Sequence, residues 1–194
     1  TLVTVTDPAA PVAHLKELTL SLNDLGTLTI SSEDIDDGST DNCGIESSIL
    51  SKDTFTCDDL GNNEVVITLT DKDGNTTVGS TIVTILDRTA PTAILQGLTI
   101  QLDPLGTAIL TPEAVDNGSS DNCGLDQIKL SKETFGCDDI GTQEITVTLT
   151  DLSGNETSEV VNIIVVGNCD PLHMVGELEM SIWPNPADQL LRES

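Results

Sequence analysis

The chain has 194 residues, of which 37% are hydrophobic but only 2% aromatic, with no Tyr, so its core must be built from Val, Ile, Leu, Ala and Thr methyl groups. These are strand residues more than helix residues. A formal net charge of −26, from 33 acidic against 7 basic side chains, repels phosphate backbones and argues against nucleic acid as a partner; no run approaches the roughly 18 apolar residues of a membrane span.

In chain order, apolar residues alternate with polar ones over short runs bounded by Gly, Asp and Asn, which is the period of half-buried strands. Leu18, Leu20 and Leu22 alternate with Thr and Ser, and Val65, Ile67, Leu69 and Ile82 alternate with their neighbours. The pattern predicts strands at residues 17–22, 26–30, 45–50, 54–57, 64–70 and 76–86, with no convincing helix.

The same series then recurs. Displacing the sequence so that Asp7 falls on Asp87 aligns residues 7–86 with 87–166 without a gap, at roughly 36 identities in roughly 80 positions. The matched blocks include "DNCG", "LSKDTFTCDDLG" with "LSKETFGCDDIG", and "TLTDKDGN" with "TLTDLSGN". Six or seven short strands per unit, with turn residues between them, predict an all-β chain of tandem immunoglobulin-like β-sandwich repeats. The predicted organisation is residues 1–6 as the last strand of a preceding repeat, 7–86 as repeat 1, 87–167 as repeat 2, and 168–194 as a linker and C-terminal segment.

Acidic residues concentrate in the predicted turns. The stretch "DIDDGSTDNCG" begins at Asp34 and "AVDNGSSDNCG" repeats it from Ala114. In a sandwich of this kind the first long loop, the last hairpin loop and the leading segment lie at one end. That end would gather Asp7, Asp34, Asp36, Asp37, Asp41, Asp71 and Asp73 in one repeat, and Asp87, Asp116, Asp121 and Asp151 in the other. Carboxylates forced together repel, and a hard divalent cation with six to eight oxygen ligands removes that cost, so calcium (Ca2+) at the inter-repeat junction is the expected cofactor. The competing reading is that Asp, Asn and Gly make good turns without metal. Because Asp34, Asp37 and Asp73 become Ala114, Asn117 and Ser153, the second site is expected to be the weaker.

Cys43 and Cys57 in the first repeat match Cys123 and Cys137 in the second, which predicts one disulfide within each repeat and an oxidising compartment. Reduced buried cysteines and a zinc site are the alternatives, although the only histidines, His14 and His173, lie outside the repeated blocks. Cys169 is left as a free thiol, an intermolecular link or half of another pair. Catalytic signatures are missing: neither histidine repeats, there is no Gly-x-Ser-x-Gly or phosphate loop, and too few aromatics exist to line sugar clefts, so no enzyme is expected. Phe55 and Phe135 occupy matching strand positions and are expected in the core. Asn75, Asn117 and Asn155 match glycosylation acceptors, a match that turn asparagines produce easily.

The DNCG, TFxC and TDxxGN blocks, in this order and at this spacing, resemble the HYR-like and immunoglobulin-like repeats of very large secreted bacterial surface adhesins. "SIWPNPADQLL" resembles the start of a type IX secretion C-terminal sorting domain, matched by Trp183, Pro184, Asn185, Pro186 and Ala187. The resemblance implies a secreted or cell-surface protein whose partners are neighbouring repeats of the same long chain. The expected role is a structural stalk or filament segment, stiffened by calcium and disulfides. A calcium-dependent carbohydrate-binding module for surface glycans, or a self-assembling filament joining identical chains by strand addition, is the alternative.

Overall fold

The computed structural model describes residues 6–169, so the expected leading strand at 1–6 and the sorting motif at 183–187 lie, but for Thr6, outside the described residues. The strands of the first repeat are β1 (Leu18–Ser21), β2 (Thr27–Thr29), β3 (Ile45–Leu50), β4 (Thr54–Thr56), β5 (Gly61–Asp71) and β6 (Thr76–Leu86). Those of the second are β7 (Leu98–Gln101), β8 (Ala108–Ile109), β9 (Leu125–Leu130), β10 (Thr134–Phe135), β11 (Gly141–Asp151) and β12 (Glu156–Val166). Each repeat forms a four-stranded sheet, β1-β6-β5-β3 or β7-β12-β11-β9, facing a two-stranded one, β2-β4 or β8-β10. This is the expected tandem immunoglobulin-like sandwich.

The period-two pattern explains which side chains face inward. Along β5, Val65, Ile67, Leu69 and Asp71 are buried and the residues between them are not. In β6 the buried residues are Thr81, Val83 and Ile85, whereas Ile82 is only half-buried. The run Thr81 to Leu86 is apolar on both faces, so alternation alone could not choose between them. Phe55 and Phe135 are fully buried at the centres of two separate cores. These rings are the largest fully buried side chains, and burying a Phe contributes about 1.5–3 kcal/mol.

Two one-turn helices that the sequence pattern missed, α1 (Ser32–Ile35) and α2 (Pro112–Val115), lie ahead of the acidic loops. They are too short to show a helical period. Their local chemistry is legible afterwards: Asp34 accepts from the Ser31 amide at 2.7 Å and hydroxyl at 2.8 Å at the start of α1, and Pro112 opens α2. Ile35 and Val115, fully buried, pin each helix to its core.

The chain changes sheet between β3 and β4. β3 pairs with β5 whereas β4 pairs with β2, so β3–β4 is not a hairpin. The long β5–β6 ribbon joins the two ends of the repeat: Thr70 pairs with Thr76 at one end, and Gly61 with Ile85 at the other. At about 3.3 Å per residue, the 11 residues of β5 hold these ends roughly 30 Å apart.

Candidate metal centre and the inter-repeat junction

At the hairpin end of each repeat, three aspartates from separate segments converge. Asp7, Asp41 and Asp71 each offer a carboxylate oxygen within 4.8 Å of the other two, and Asp87, Asp121 and Asp151 do the same. Asp7 and Asp87 come from the extended segments that lead into each repeat, Asp41 and Asp121 from the loops before β3 and β9, and Asp71 and Asp151 from the last residues of β5 and β11.

Local turn chemistry sets each carboxylate. Asp7 accepts from the Ala9 amide at 2.9 Å, and Asp41 uses Oδ1 to accept from both the Cys43 and Gly44 amides at 2.8 Å. Asp121 repeats this with Cys123 at 2.8 Å and Gly124 at 3.1 Å. These are Asx turns, in which one oxygen replaces a backbone acceptor and fixes the loop. The second oxygen of each is left over: Oδ2 of Asp7, Asp41, Asp87 and Asp121 is buried without a hydrogen-bond partner. Asp71 is held by Asn75, whose amide donates to Oδ1 at 2.8 Å and whose side chain donates to Oδ2 at 2.7 Å. The Asn75 side chain also reaches the Asp7 and Ala9 carbonyls, tying the leading segment to the hairpin.

Turn hydrogen bonds alone therefore do not account for these groups. Burial in itself raises the Asp71 pKa, but the donors from Asn75, Asp73 and Gly74 outweigh it and hold the carboxyl below its usual range. The Asp7 carboxyl is likewise lowered, foremost by the Ala9 amide. Converging anions, with four unpartnered buried oxygens shared between two clusters, are costly unless a cation compensates. An all-oxygen donor set suits a hard divalent ion such as calcium rather than zinc or copper.

The remaining candidates from the sequence do not join the clusters. Asp34 caps α1, and Asp36 accepts from the Ser39 amide at 3.1 Å, as Asp116 does from Ser119 at 2.9 Å. The Ser39 hydroxyl, and for Asp34 the Ser31 amide, are the foremost causes holding these two carboxyls below their usual range. Asp37 adds no ligand to either cluster. Asp73 supports the site from behind, accepting from the Asp7 amide at 2.9 Å. Of the three acidic residues lost in the second repeat, only Asp73 touches the cluster, and the two carboxylate triads are alike. Asn75 and Asn155, matched as glycan acceptors, are engaged by Asp71 and Asp151.

The disulfides differ from the expected pairing. Cys43–Cys57 and Cys123–Cys137 do not form; the bonds are Cys57–Cys123, across the repeats, and Cys137–Cys169, while Cys43 is free and exposed. A Cys43–Cys57 bond would require β3 and β4 to form a hairpin. Because β3 and β4 instead belong to opposite sheets, Cys43 lies at the hairpin end of β5 and Cys57 at the Gly61 end, far beyond the roughly 7 Å Cα separation a disulfide spans.

Each repeat thus has an acidic end and a cysteine-turn end, and the second repeat's acidic loop docks on the first repeat's turn. Cys57 opens a short 3-10 turn, Cys57–Asp59, beside the Gly26 turn. Gly26 has φ +70, and a Cβ there would lie 2.8 Å from the Asn122 carbonyl oxygen and 2.8 Å from Cys57 Sγ, so glycine permits both the turn and the contact. Asn122 Nδ2 donates to the Asn23 carbonyl at 3.1 Å. The same stretch of chain carries Asp121 of the triad, so the second acidic cluster sits directly under the bridge.

No protein-family profile and no curated protein matches the chain. Among solved structures it is similar to human protocadherin-24 EC1-2, at 12% identity over 82% of this chain and 100% of that one, with a TM-score of 0.42. It is also similar to protocadherin gamma C5 EC1-3, at 13% identity over 80% and 68%, TM-score 0.40. A third similarity is to an endo-fucoidan hydrolase of glycoside hydrolase family 107, at 14% identity over 82% and 35%, TM-score 0.28. At these values the architecture rests on the strand pairings themselves. No helix among the described residues is long and apolar enough to cross a membrane.

Proposed function

We propose that this chain is a non-enzymatic structural segment of an extracellular adhesin or filament, in which immunoglobulin-like repeats are joined end to end and stiffened by calcium and by disulfides. The observation that carries the reading is the junction: the loop that supplies Asp121 to a buried carboxylate triad also supplies Cys123 to the preceding repeat. Two disulfides in a chain of this size fit an oxidising compartment outside the cytosol. Asp87, Asp121 and Asp151 would hold the second ion and Asp7, Asp41 and Asp71 the first, with the unpartnered Oδ2 atoms as ligands. A bound divalent ion would offset most of the triad's negative charge and so hold the leading segment, the long loop and the last hairpin relative to one another. The resemblance of "IWPNPADQLL" to a type IX sorting segment supports export to the bacterial cell surface.

Calorimetric unfolding of the oxidised protein, in calcium and then in excess chelator, tests the reading. A ligand at 100 times its dissociation constant stabilises by about 2.7 kcal/mol, which raises the melting temperature of a small domain by several degrees. Identical transitions in both conditions would remove calcium from the account.

A further inference from the structure

The two copies of the acidic loop are the same in sequence but not in circumstance. Residues 121–124 of the second repeat read "DNCG", as do residues 41–44 of the first. Asn122 and Cys123 are half-buried against the first repeat, the one bonded to the Asn23 carbonyl and the other to Cys57. Asn42 and Cys43 are exposed, although Asp41 holds its loop by the same two amide bonds that Asp121 makes. The half that is filled in one repeat is thus fully built and unfilled in the other.

We infer that residues 41–43 form a docking surface for the cysteine-bearing turn of another repeat of this same type, closed by a disulfide through Cys43. The occupant is defined by what engages Asn122 and Cys123: a glycine turn like that at Gly26, next to a 3-10 turn that opens with a cysteine as Cys57 opens its own. Cys57 and Cys137 are themselves committed, so the partner is a further repeat at the Asp7 side. The second repeat shows how general the turn is. Cys137 sits beside Gly106 as Cys57 sits beside Gly26, and it bonds Cys169, which again follows an asparagine, Asn168. Three Asn-Cys pairs therefore occur in the chain; two receive such a turn, and Cys43 belongs to the third. Bond formation removes one proton and one electron from each of two thiols, and a small-molecule disulfide such as glutathione disulfide takes them up and leaves as two glutathione thiols.

This inference rests on reading the chain as an array, and the test separates the two. A copy of residues 7–86 is inserted directly before Asp7, and the longer chain and the unmodified chain are oxidised in glutathione buffer, alkylated and mapped by non-reducing peptide mass spectrometry. In the unmodified chain Cys43 is alkylated. In the longer chain it is cross-linked to the added copy's Cys57, and the alkylated thiol moves to the added copy's Cys43. An alkylated Cys43 in the longer chain, or a Cys43 bonded to any cysteine other than that one, overturns the inference. Absence of Cys57–Cys123 from the unmodified chain would overturn the array reading as well. Cys43→Ser in the longer chain should leave the added Cys57 free while Cys57–Cys123 still forms, and loss of both bridges there would also count against the inference.

Discussion

Cys57 and Cys123 lie in different repeats, yet their Cα atoms are only 5.3 Å apart and their sulfurs are bonded. A single covalent bond at the narrow end of a sandwich therefore supplements the short linker at Asp87 and leaves the second repeat two points of attachment to the first. One attachment permits hinge motion, whereas two close together, flanked by the Asn122–Asn23 hydrogen bond, oppose it.

Replacing Cys123 with Ser should free Cys57 and loosen the junction without unfolding either repeat, because the buried residues of each hydrophobic core all come from its own repeat and Cys123 is only a partly buried neighbour of the first. In the chain-entropy description, a loop of 66 residues corresponds to about 4 kcal/mol of stabilisation, although flexibility between domains reduces it. Small-angle scattering should report a broader distribution of dimensions for Cys123→Ser, while circular dichroism retains its strand signal. A variant whose scattering matches the wild type would mean that the linker alone fixes the geometry.

Gly26→Ala should impair the same bridge from the other side. The new Cβ meets the Asn122 carbonyl oxygen, which is backbone and cannot swing away, and the φ of +70 is strained for any residue with a Cβ. Gly38→Ala is the matched comparison, with φ +89 but nothing within 4 Å. Both lose about 1–2 kcal/mol to backbone strain. Only Gly26→Ala should also raise the fraction of Cys57 and Cys123 found as free thiols after oxidative refolding.

Much of this architecture is legible in the sequence because the repeat doubles every signal. Strands 45–50 and 76–86 have the predicted bounds to the residue, and position alone places Phe55 and Phe135 in the core. The disulfides escape such a reading for a physical reason. Cys43 and Cys57 are close in sequence, and sequence alone does not reveal that β3 and β4 pair with different partners. The available signals are the repeat register, which makes Cys43 and Cys123 equivalent loop positions and Cys57 and Cys137 equivalent turn positions, and the Asn that precedes Cys43, Cys123 and Cys169 alike. Within the acidic stretch, Asp34, Asp36 and Asp41 look interchangeable. The helical turn of α1 separates them, committing Asp34 to its cap and Asp36 to the Ser39 turn, and only Asp41 reaches the triad.

Asp121→Asn and Asp37→Asn should separate a ligand from a bystander. Asp121→Asn keeps the side-chain oxygen that accepts from Cys123 and Gly124 but removes the charge that a cation would meet, so titration calorimetry should lose one of its two binding events. Asp37→Asn, outside both clusters, should leave calcium binding unchanged. Equal binding by wild type and Asp121→Asn would place the ion elsewhere. Since Asp121 and Cys123 share a loop, chelator should also widen the scattering dimensions of Cys123→Ser beyond those of the calcium-loaded variant.

Acid sensitivity should depend in part on Asp59 and Asp139. Each pairs with a lysine, Lys52 or Lys132, whose ammonium also stands over a buried ring, 5.2 Å from Phe55 or 5.3 Å from Phe135. The lysine is the foremost cause lowering each carboxyl below the ordinary value of 3.8, followed by the amide of Thr56 or Gly136. A carboxyl whose pKa is lower folded than unfolded gives stability that is complete above the unfolded value. That stability is lost as pH falls through the folded one. The contribution should therefore be full at pH 6 and fade below about pH 4, in the range where the unfolded carboxyl takes up its proton first. Asp59→Asn removes the titrating group while keeping an acceptor for the Thr56 amide. Urea unfolding at pH 6 should show a loss of order 1 kcal/mol or less, as for other partly exposed ion pairs. Between pH 4 and pH 2.5 the wild type and Asp59→Asn should converge. If they stay equally far apart across that range, the stabilisation comes from the turn's hydrogen bonds and not from the charge.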